Sequence, residues 1–370
     1  MIDLPTDVAA LRAIPALTRA AAFCEAYSLT RPIVMAPMAG ACPPALAAAV
    51  ASAGGMGAGG MVGDGPDGIS AWAAKVRAAT NGAFMMNLWA PDPLPERDPA
   101  HEAALRDVLA GFGPPPPQEI ALAAPEDAFA AQCAAVVEAG PTVASSIMGL
   151  YPPDVVARFK ERGIRWWATV TTVSEALMAA EAGADAIIAQ GMEAGGHRGA
   201  FDAARGEAQL VGLAALVPAV AEAVTVPVIA AGGIATGRGV AAALVLGASA
   251  AIVGTALLRA PEAGIASTWA DAIGAARPED TVTTRAFSGR LGRSLPTGYL
   301  EAMAAPGAPA PAPFPVQRSL TAPMRTASVK ADDLAGISAW AGQSAGASRA
   351  EPAGAIVERL WAEALAEFGG

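Results

Sequence analysis

Histidine is nearly absent from this 370-residue chain: there are two, beside three cysteines. Cys24, Cys42 and Cys133 are too widely spaced for a disulfide framework or a zinc site, and no HExxH helix exists. Unpaired cysteines suit a reducing compartment, so a cytoplasmic location is expected. Asp3 and Asp7 precede any basic residue, and no secretory leader is expected. Basic charge is short as well. Lysine and arginine number 24 against 34 acidic residues, a net charge of −10, which argues against nucleic acid as a partner. Lysine occurs only at Lys75, Lys160 and Lys330; amid so much Ala, Gly and Pro this reads as codon bias without functional weight. Charge is missing altogether from Pro32 to Gly63, a run of 32 residues that is long enough to span a bilayer. Pro37, Pro43, Pro44 and repeated glycines would break a spanning helix there, so the run is expected to be buried core, with no membrane contact.

What the chain does contain is alternation. Eight short apolar runs read as strands: Pro32–Met38, Met56–Met61, Ala83–Trp89, Val143–Ile147, Arg165–Thr172, Ala186–Gly191, Val226–Gly233 and Ala250–Leu257. Between them lie helix-like segments: Ala45–Ala53, Asp67–Thr80, Pro125–Glu138, Pro153–Arg162, Ser174–Ala182, Gln209–Ala223 and Arg238–Leu246. Strands alternating with helices imply parallel pairing through right-handed crossovers. Eight units in this length fit an α/β fold of the (β/α)8 TIM-barrel type, and a doubly wound sheet lacks its usual GxGxxG turn. The expected organisation is an N-terminal extension (1–30) with an amphipathic stretch over Leu11–Tyr27, then a barrel (31–258). A capping or insertion domain follows (259–349), and a last helix (350–368) completes the barrel in place of its missing eighth helix. Ala90–Ala124, with PPPP at 114–117, reads as an insertion after the third strand, and PGAPAPAPFP at 306–315 is low-complexity sequence.

The densest cluster of polar residues and glycine is AQGMEAGGHRG (189–199), directly after the sixth strand. At a barrel mouth Gly195 and Gly196 let backbone approach a ligand, His197 can serve as a base, and Arg198 adds positive charge beside it. The other histidine, His101, sits in PERDPAHEAALRD and reads as part of a solvated helix start. A second cluster pairs Gly232 and Gly233 after the seventh strand with Gly254 and Thr255 at the eighth. Gly233 and Gly254 stand one βα unit apart, the spacing of a barrel phosphate site. Ala36, Pro37 and Met38 end the first strand, and Asn87 near the end of the third offers both a donor and an acceptor to a heterocycle edge. Ser145 and Ser146 read as small core residues. No GxSxG elbow, metal cluster or activated cysteine is present, so a bound phosphorylated cofactor is expected to supply the chemistry.

These residues resemble the FMN-dependent nitronate monooxygenases, formerly called 2-nitropropane dioxygenases, from Arg31 to about Phe368. PIVMAPMAGACPPALAAAVASAGGMG is similar to that family's opening motif. AQGMEAGGHRG and PVIAAGGIATGRGVAAALVLGASAAIVGTAL resemble its strongest signatures, and FSGRLGR (287–293) and AWAGQSAG (339–346) its C-terminal elements. The resemblance implies FMN at the barrel mouth, with its phosphate near Gly232, Gly233, Gly254 and Thr255, and with Asn87, Gln190 and Gly195 at the flavin. It implies His197 as catalytic base in the oxidation of an alkyl nitronate by O2 to a carbonyl compound and nitrite, with neutral nitroalkanes as further candidate substrates. His197 and Arg198 together are expected to attract the anionic substrate. A homodimer is one assembly compatible with the sequence. Trp166 and Trp167 depart from the family pattern and are expected to narrow the barrel or line the pocket.

Two other functions compete. A sister family, the FMN-dependent enoyl-acyl-carrier-protein reductases, has a very similar loop and takes hydride from NAD(P)H. Gln190 and AWAGQSAG favour the nitronate enzyme, and a net charge of −10 disfavours an acidic carrier protein. An idle flavin- or phosphate-binding module is the third reading, opposed by the presence of His197 in its motif.

Overall fold

The computed structural model describes residues 17–120 and 125–369. Asp3, Asp7, the first part of the Leu11–Tyr27 stretch and the end of the 90–124 insertion lie outside the described residues. Nine strands precede residue 254: β1 (Ile33–Met35), β2 (Gly57–Gly60), β3 (Phe84–Trp89), β4 (Val143–Ile147), β5 (Arg165–Val170), β6 (Ala186–Gln190), β7 (Gly196–His197), β8 (Val228–Ala231) and β9 (Ala250–Val253). All but β7 form one parallel sheet in the order β1-β9-β8-β6-β5-β4-β3-β2. A Val34–Met56 bridge joins its two ends, with Met35 N–H donating to Met56 O at 2.9 Å and Met56 N–H to Ile33 O at 3.0 Å. The sheet is therefore a closed (β/α)8 barrel. Its strands are buried almost throughout because helices cover the outside, which is why they read as continuous apolar runs. The glycines of β2 have a steric reason: a Cβ on Gly57 would come within 2.3 Å of the Ala47 carbonyl in the helix Pro44–Ser52.

All eight strands expected from the sequence are present, several shorter than their apolar runs. The run 226–233 stops at Ala231 because Gly232 and Gly233 take φ of +126° and +65° and turn the chain away. The run 250–257 ends in a 3-10 turn, Thr255–Leu257. The first strand stops at Met35, leaving Ala36, Pro37 and Met38 outside the ladder.

Trp166 and Trp167 do not reach the pocket. Both are fully buried, on opposite faces of β5. Trp167 packs against Phe23 of the helix Thr18–Ala26 and against Tyr27 just after it, and donates from Nε1 to the Tyr27 hydroxyl at 2.8 Å. Thr169, two residues further along the same face, lines the mouth. The N-terminal helix thus closes the barrel end opposite the mouth. Trp166 faces the helical layer, among Tyr151 and the Ser146 hydroxyl.

After β9 the chain crosses over the mouth. Two more strands, β10 (Val282–Thr284) and β11 (Gly292–Ser294), form an antiparallel sheet with β7 in the order β10-β11-β7. The helix Val316–Ala331 lies behind them and packs through Leu320 and Met324 on Leu105 and Leu109 of the helix Pro99–Leu109. The insertion after β3 and the segment after β9 therefore share a hydrophobic cluster separate from the barrel core. The last helix, Ala353–Phe368, lies against Gly237–Val245 and Pro44–Ser52, between the helices that follow β8 and β1. Contact is close: a Cβ on Gly237 would lie 2.2 Å from Glu363 Cβ, and the Glu363 carboxylate accepts from Gly237 N–H at 3.0 Å. Among the described residues, no helix is long and apolar enough to cross a membrane.

Leu360, fully buried on this last helix, anchors it to the barrel. Leu360→Ala is expected to lower the unfolding free energy by about 2–5 kcal/mol in denaturant titration. A loss below about 0.5 kcal/mol, typical of surface changes, would show that the helix is not part of the core.

Candidate functional site

A cavity of about 500 Å³ opens at the C-terminal end of the barrel, within the size range of small-molecule sites. The residues anticipated as catalytic or cofactor-binding line it: Ala36, Pro37, Met38, Asn87, Gln190, Gly195, Gly196, His197, Gly232, Gly233, Gly254 and Thr255. His101 does not; it follows the Asp98 cap of its helix, and its ring meets the Ala310 carbonyl. Ser145 and Ser146 are buried behind the wall. Asn87 Nδ2 donates to Ser145 Oγ at 2.9 Å, which orients the Asn87 amide.

His197 is half-buried between Trp89 and Trp340, whose ring centroids each lie 4.7 Å from the imidazole. Its Nε2 is 2.7 Å from Ser288 Oγ. Burial, then the charges of Arg318, Arg290 and Arg325, lower its pKa to about 3, so the imidazole is neutral throughout the physiological range. Its position is fixed by the loop that carries it. Gln190 Nε2 donates to His197 O at 3.0 Å and Gln190 Oε1 accepts from Gly199 N–H at 2.8 Å, so the amide expected at the ligand also braces this loop. β7 pairs with β11, and the Glu193 carboxylate accepts from Leu213 N–H at 2.9 Å, at the start of the helix Leu213–Ala223.

Arg198 departs from the expectation that it would attract substrate. In an extended segment successive side chains point to opposite faces, so with His197 at the cavity Arg198 turns inward. It is buried and donates to the carbonyls of Gln190, Thr171 and Gln209. Burial lowers its pKa to about 10. It clamps loops instead of meeting a ligand.

The glycine turns after β8 and β9 present free donors. The N–H groups of Gly232, Gly233 and Thr255 have no acceptor among the described residues, and all three residues line the cavity. Exposed donors converging at the ends of two adjacent barrel strands suit a phosphate or another oxyanion. The segment 340–344 ties this region to the His197 loop. Gly342 N–H donates to Thr255 Oγ1 and Gln343 N–H to Glu193 O, both at 3.0 Å, while the Ser344 hydroxyl donates to Gly233 O. A Cβ on Gly195 would lie 2.5 Å from the Ala341–Gly342 peptide, so glycine is required where the two segments cross.

Sequence reasoning missed four wall residues that matter: Trp89, Trp340, Arg318 and Arg325. Trp89 stands two residues after Asn87 and was legible by alternation; the other three belong to the segment over the mouth. The signal for the arginines is the absence of any acidic residue from Val316 to Ala331.

A family model described as nitronate monooxygenase matches residues 22–363. A nitronate monooxygenase of Pseudomonas aeruginosa is 38% identical over 345 residues, covering 91% of this chain and 97% of that protein. One from Paraburkholderia phytofirmans is also 38% identical, covering 90% and 92%. Among solved structures, nitroalkane oxidase from Streptomyces ansochromogenes superposes with a TM-score of 0.83 at 38% identity, over 94% of this chain and 99% of that one. FabK from Thermotoga maritima superposes at 0.73 and 29% identity, over 94% and 97%.

The neutral imidazole has a consequence for stability. In the unfolded chain His197 takes up a proton near pH 6.5, whereas the folded site resists protonation down to about pH 3. Stability is therefore unaffected by this group above that window and falls as pH drops through it. His197→Asn lacks the component, so between about pH 7 and about pH 5 its denaturation midpoint is expected to fall less steeply than that of the wild type. Parallel slopes for the two proteins would contradict the assignment.

Proposed function

Because the chain belongs to the nitronate monooxygenase family, a family of oxidoreductases, we propose that it oxidises alkyl nitronates with O2 to carbonyl compounds and nitrite, using FMN. The observation that carries this reading is the convergence on one cavity of unpaired backbone donors, the neutral imidazole of His197 and the side chains of Arg318 and Arg325. FMN fits the donor set: the N–H groups of Gly232, Gly233 and Thr255 would hold its phosphate, and Asn87 and Gly195 would flank its flavin. Bound there, the flavin supplies the electron transfer that no side chain of this chain can perform. In this reading residues 31–258 with 350–368 hold the cofactor, and 259–349 cap the substrate. Three buried, free cysteines support a cytoplasmic location.

The protein's own part is charge and proton control. Arginines at the wall favour an anionic substrate. A preformed nitronate needs no deprotonation, and the tryptophans beside His197 limit water around it. For a neutral nitroalkane, His197 accepts the proton from the carbon bearing the nitro group; it rests in the base form, and the same cations stabilise the nitronate that results. The low pKa makes it a weak base, so nitronates are the better substrates. The enoyl-reductase reading is less favoured, because the nitroalkane oxidase structure is closer than FabK, of the sister family, in both superposition and identity.

With FMN bound, anaerobic ethylnitronate is expected to change the flavin spectrum within the turnover time, and NADPH is expected to leave it unchanged. Rapid bleaching by NADPH with no response to the nitronate would transfer the protein to the reductase reading. His197→Asn is expected to keep FMN while losing about 100-fold or more in nitroethane turnover. Equal nitroethane activity in the variant would remove His197 as base.

A further inference from the structure

We propose that Arg318 and Arg325 are the specificity-determining residues of this site, recognising a planar oxyanion, the nitronate head group, from the cap side of the cavity. The proposal rests on the nitronate reading of the site and adds the residues that select for charge. Both arginines lie on the helix Val316–Ala331, seven residues apart and so on one face, and both line the cavity. Among the described residues neither has a carboxylate partner. The Arg325 Nε donates to Thr321 Oγ1 at 3.1 Å and its Nη2 to the Arg318 carbonyl at 3.0 Å, both neutral acceptors. The Arg318 guanidinium has no acceptor among the described residues. It reaches the loop after β2, where a side chain on Gly63 would touch its Nη2 at 3.7 Å.

These hydrogen bonds draw Arg325 back toward Arg318, and the two like charges oppose each other. Burial lowers the pKa of both, and Arg318 lowers that of Arg325 further, to about 10. Two half-buried guanidiniums facing one cavity, with no acid among the described residues paired to them, are relieved by a bound anion. A guanidinium presents paired N–H donors in one plane, which match two coplanar oxygens sharing a negative charge. A nitronate carries such a pair; a neutral nitroalkane carries the oxygens without the full charge. Burial, aided by the same two cations and Arg290, keeps His197 neutral, so the anion meets a base and not a competing third cation.

Nitrate, a planar oxyanion that cannot be oxidised further, is the probe. It is titrated calorimetrically into FMN-loaded wild type, R318M, R325M, R318M/R325M and R318K/R325K, and ethylnitronate kinetics are measured on the same proteins. Each methionine is expected to weaken nitrate binding by about tenfold or more. The loss with ethylnitronate should fall on KM and not on kcat, and the lysine pair should recover part of the binding. Rising salt should raise the wild-type KM for ethylnitronate, a readout that does not depend on any variant folding. Nitrate binding to R318M/R325M as tight as to wild type, or no difference between the lysine and methionine pairs, overturns the proposal. If nitrate binding is lost in the variants while wild type fails to turn over ethylnitronate, the anion site stands and the nitronate reading falls.

Discussion

The mouth of this barrel depends on one buried guanidinium. Arg198 joins the carbonyls that follow β5, end β6 and precede the helix Leu213–Ala223, three segments that otherwise diverge. Among the described residues it has no directly bonded carboxylate, so the three carbonyl dipoles stabilise its charge, helped at longer range by Glu175 and Glu193. Because Arg198 points inward, its neighbour in the extended β7 must point outward, and that neighbour is His197. The orientation of the candidate base is thus a consequence of where the arginine is buried. Gln190 secures the same loop from the other side, through His197 O and Gly199 N–H.

From that fixed loop the electrostatics of the cavity follow. Part of the lining offers backbone N–H groups at glycine turns, the cap helix offers arginines, and the imidazole in the same cavity is kept neutral by burial and by the arginines. Positive potential without a protonated histidine suits anionic chemistry: the ligand is drawn in, and the one acid–base group remains able to accept a proton. The segment 340–344 makes the two halves of the site interdependent, since it bonds to Thr255, Gly233 and Glu193 while the Trp340 ring packs at a tilt against His197.

The barrel was legible in the sequence because its strands are buried on both faces, so each appears as a short apolar run, and β6, β8 and β9 stop directly at glycines. The glycine turns were legible because Gly233 and Gly254 stand one barrel unit apart, and His197 because it follows Gly195 and Gly196 directly after the sixth strand. What was not legible lies over the mouth. The cluster that joins Leu105 and Leu109 to Leu320 and Met324 links segments some 200 residues apart, with no local periodicity to announce it. Arg318 and Arg325 occupy one helix face, and sequence alone does not say whether that face meets solvent or a cavity. Arg198 was misread for a simpler reason: adjacency in sequence was taken as adjacency at the ligand, whereas in an extended chain it implies the opposite. Trp166 and Trp167 follow the same rule, one in the helical layer and one in the barrel floor.

The central claim is that a single cavity places a phosphorylated flavin on the glycine turns and a small anion between His197 and the cap arginines. A crystal structure of the FMN-loaded protein grown with nitrate tests it most directly. The account predicts the FMN phosphate on the N–H groups of Gly232, Gly233 and Thr255, and nitrate within hydrogen-bonding distance of Arg318 or Arg325 on the His197 side of the flavin. A phosphate bound by the cap arginines, with the glycine turns left to water, would contradict it.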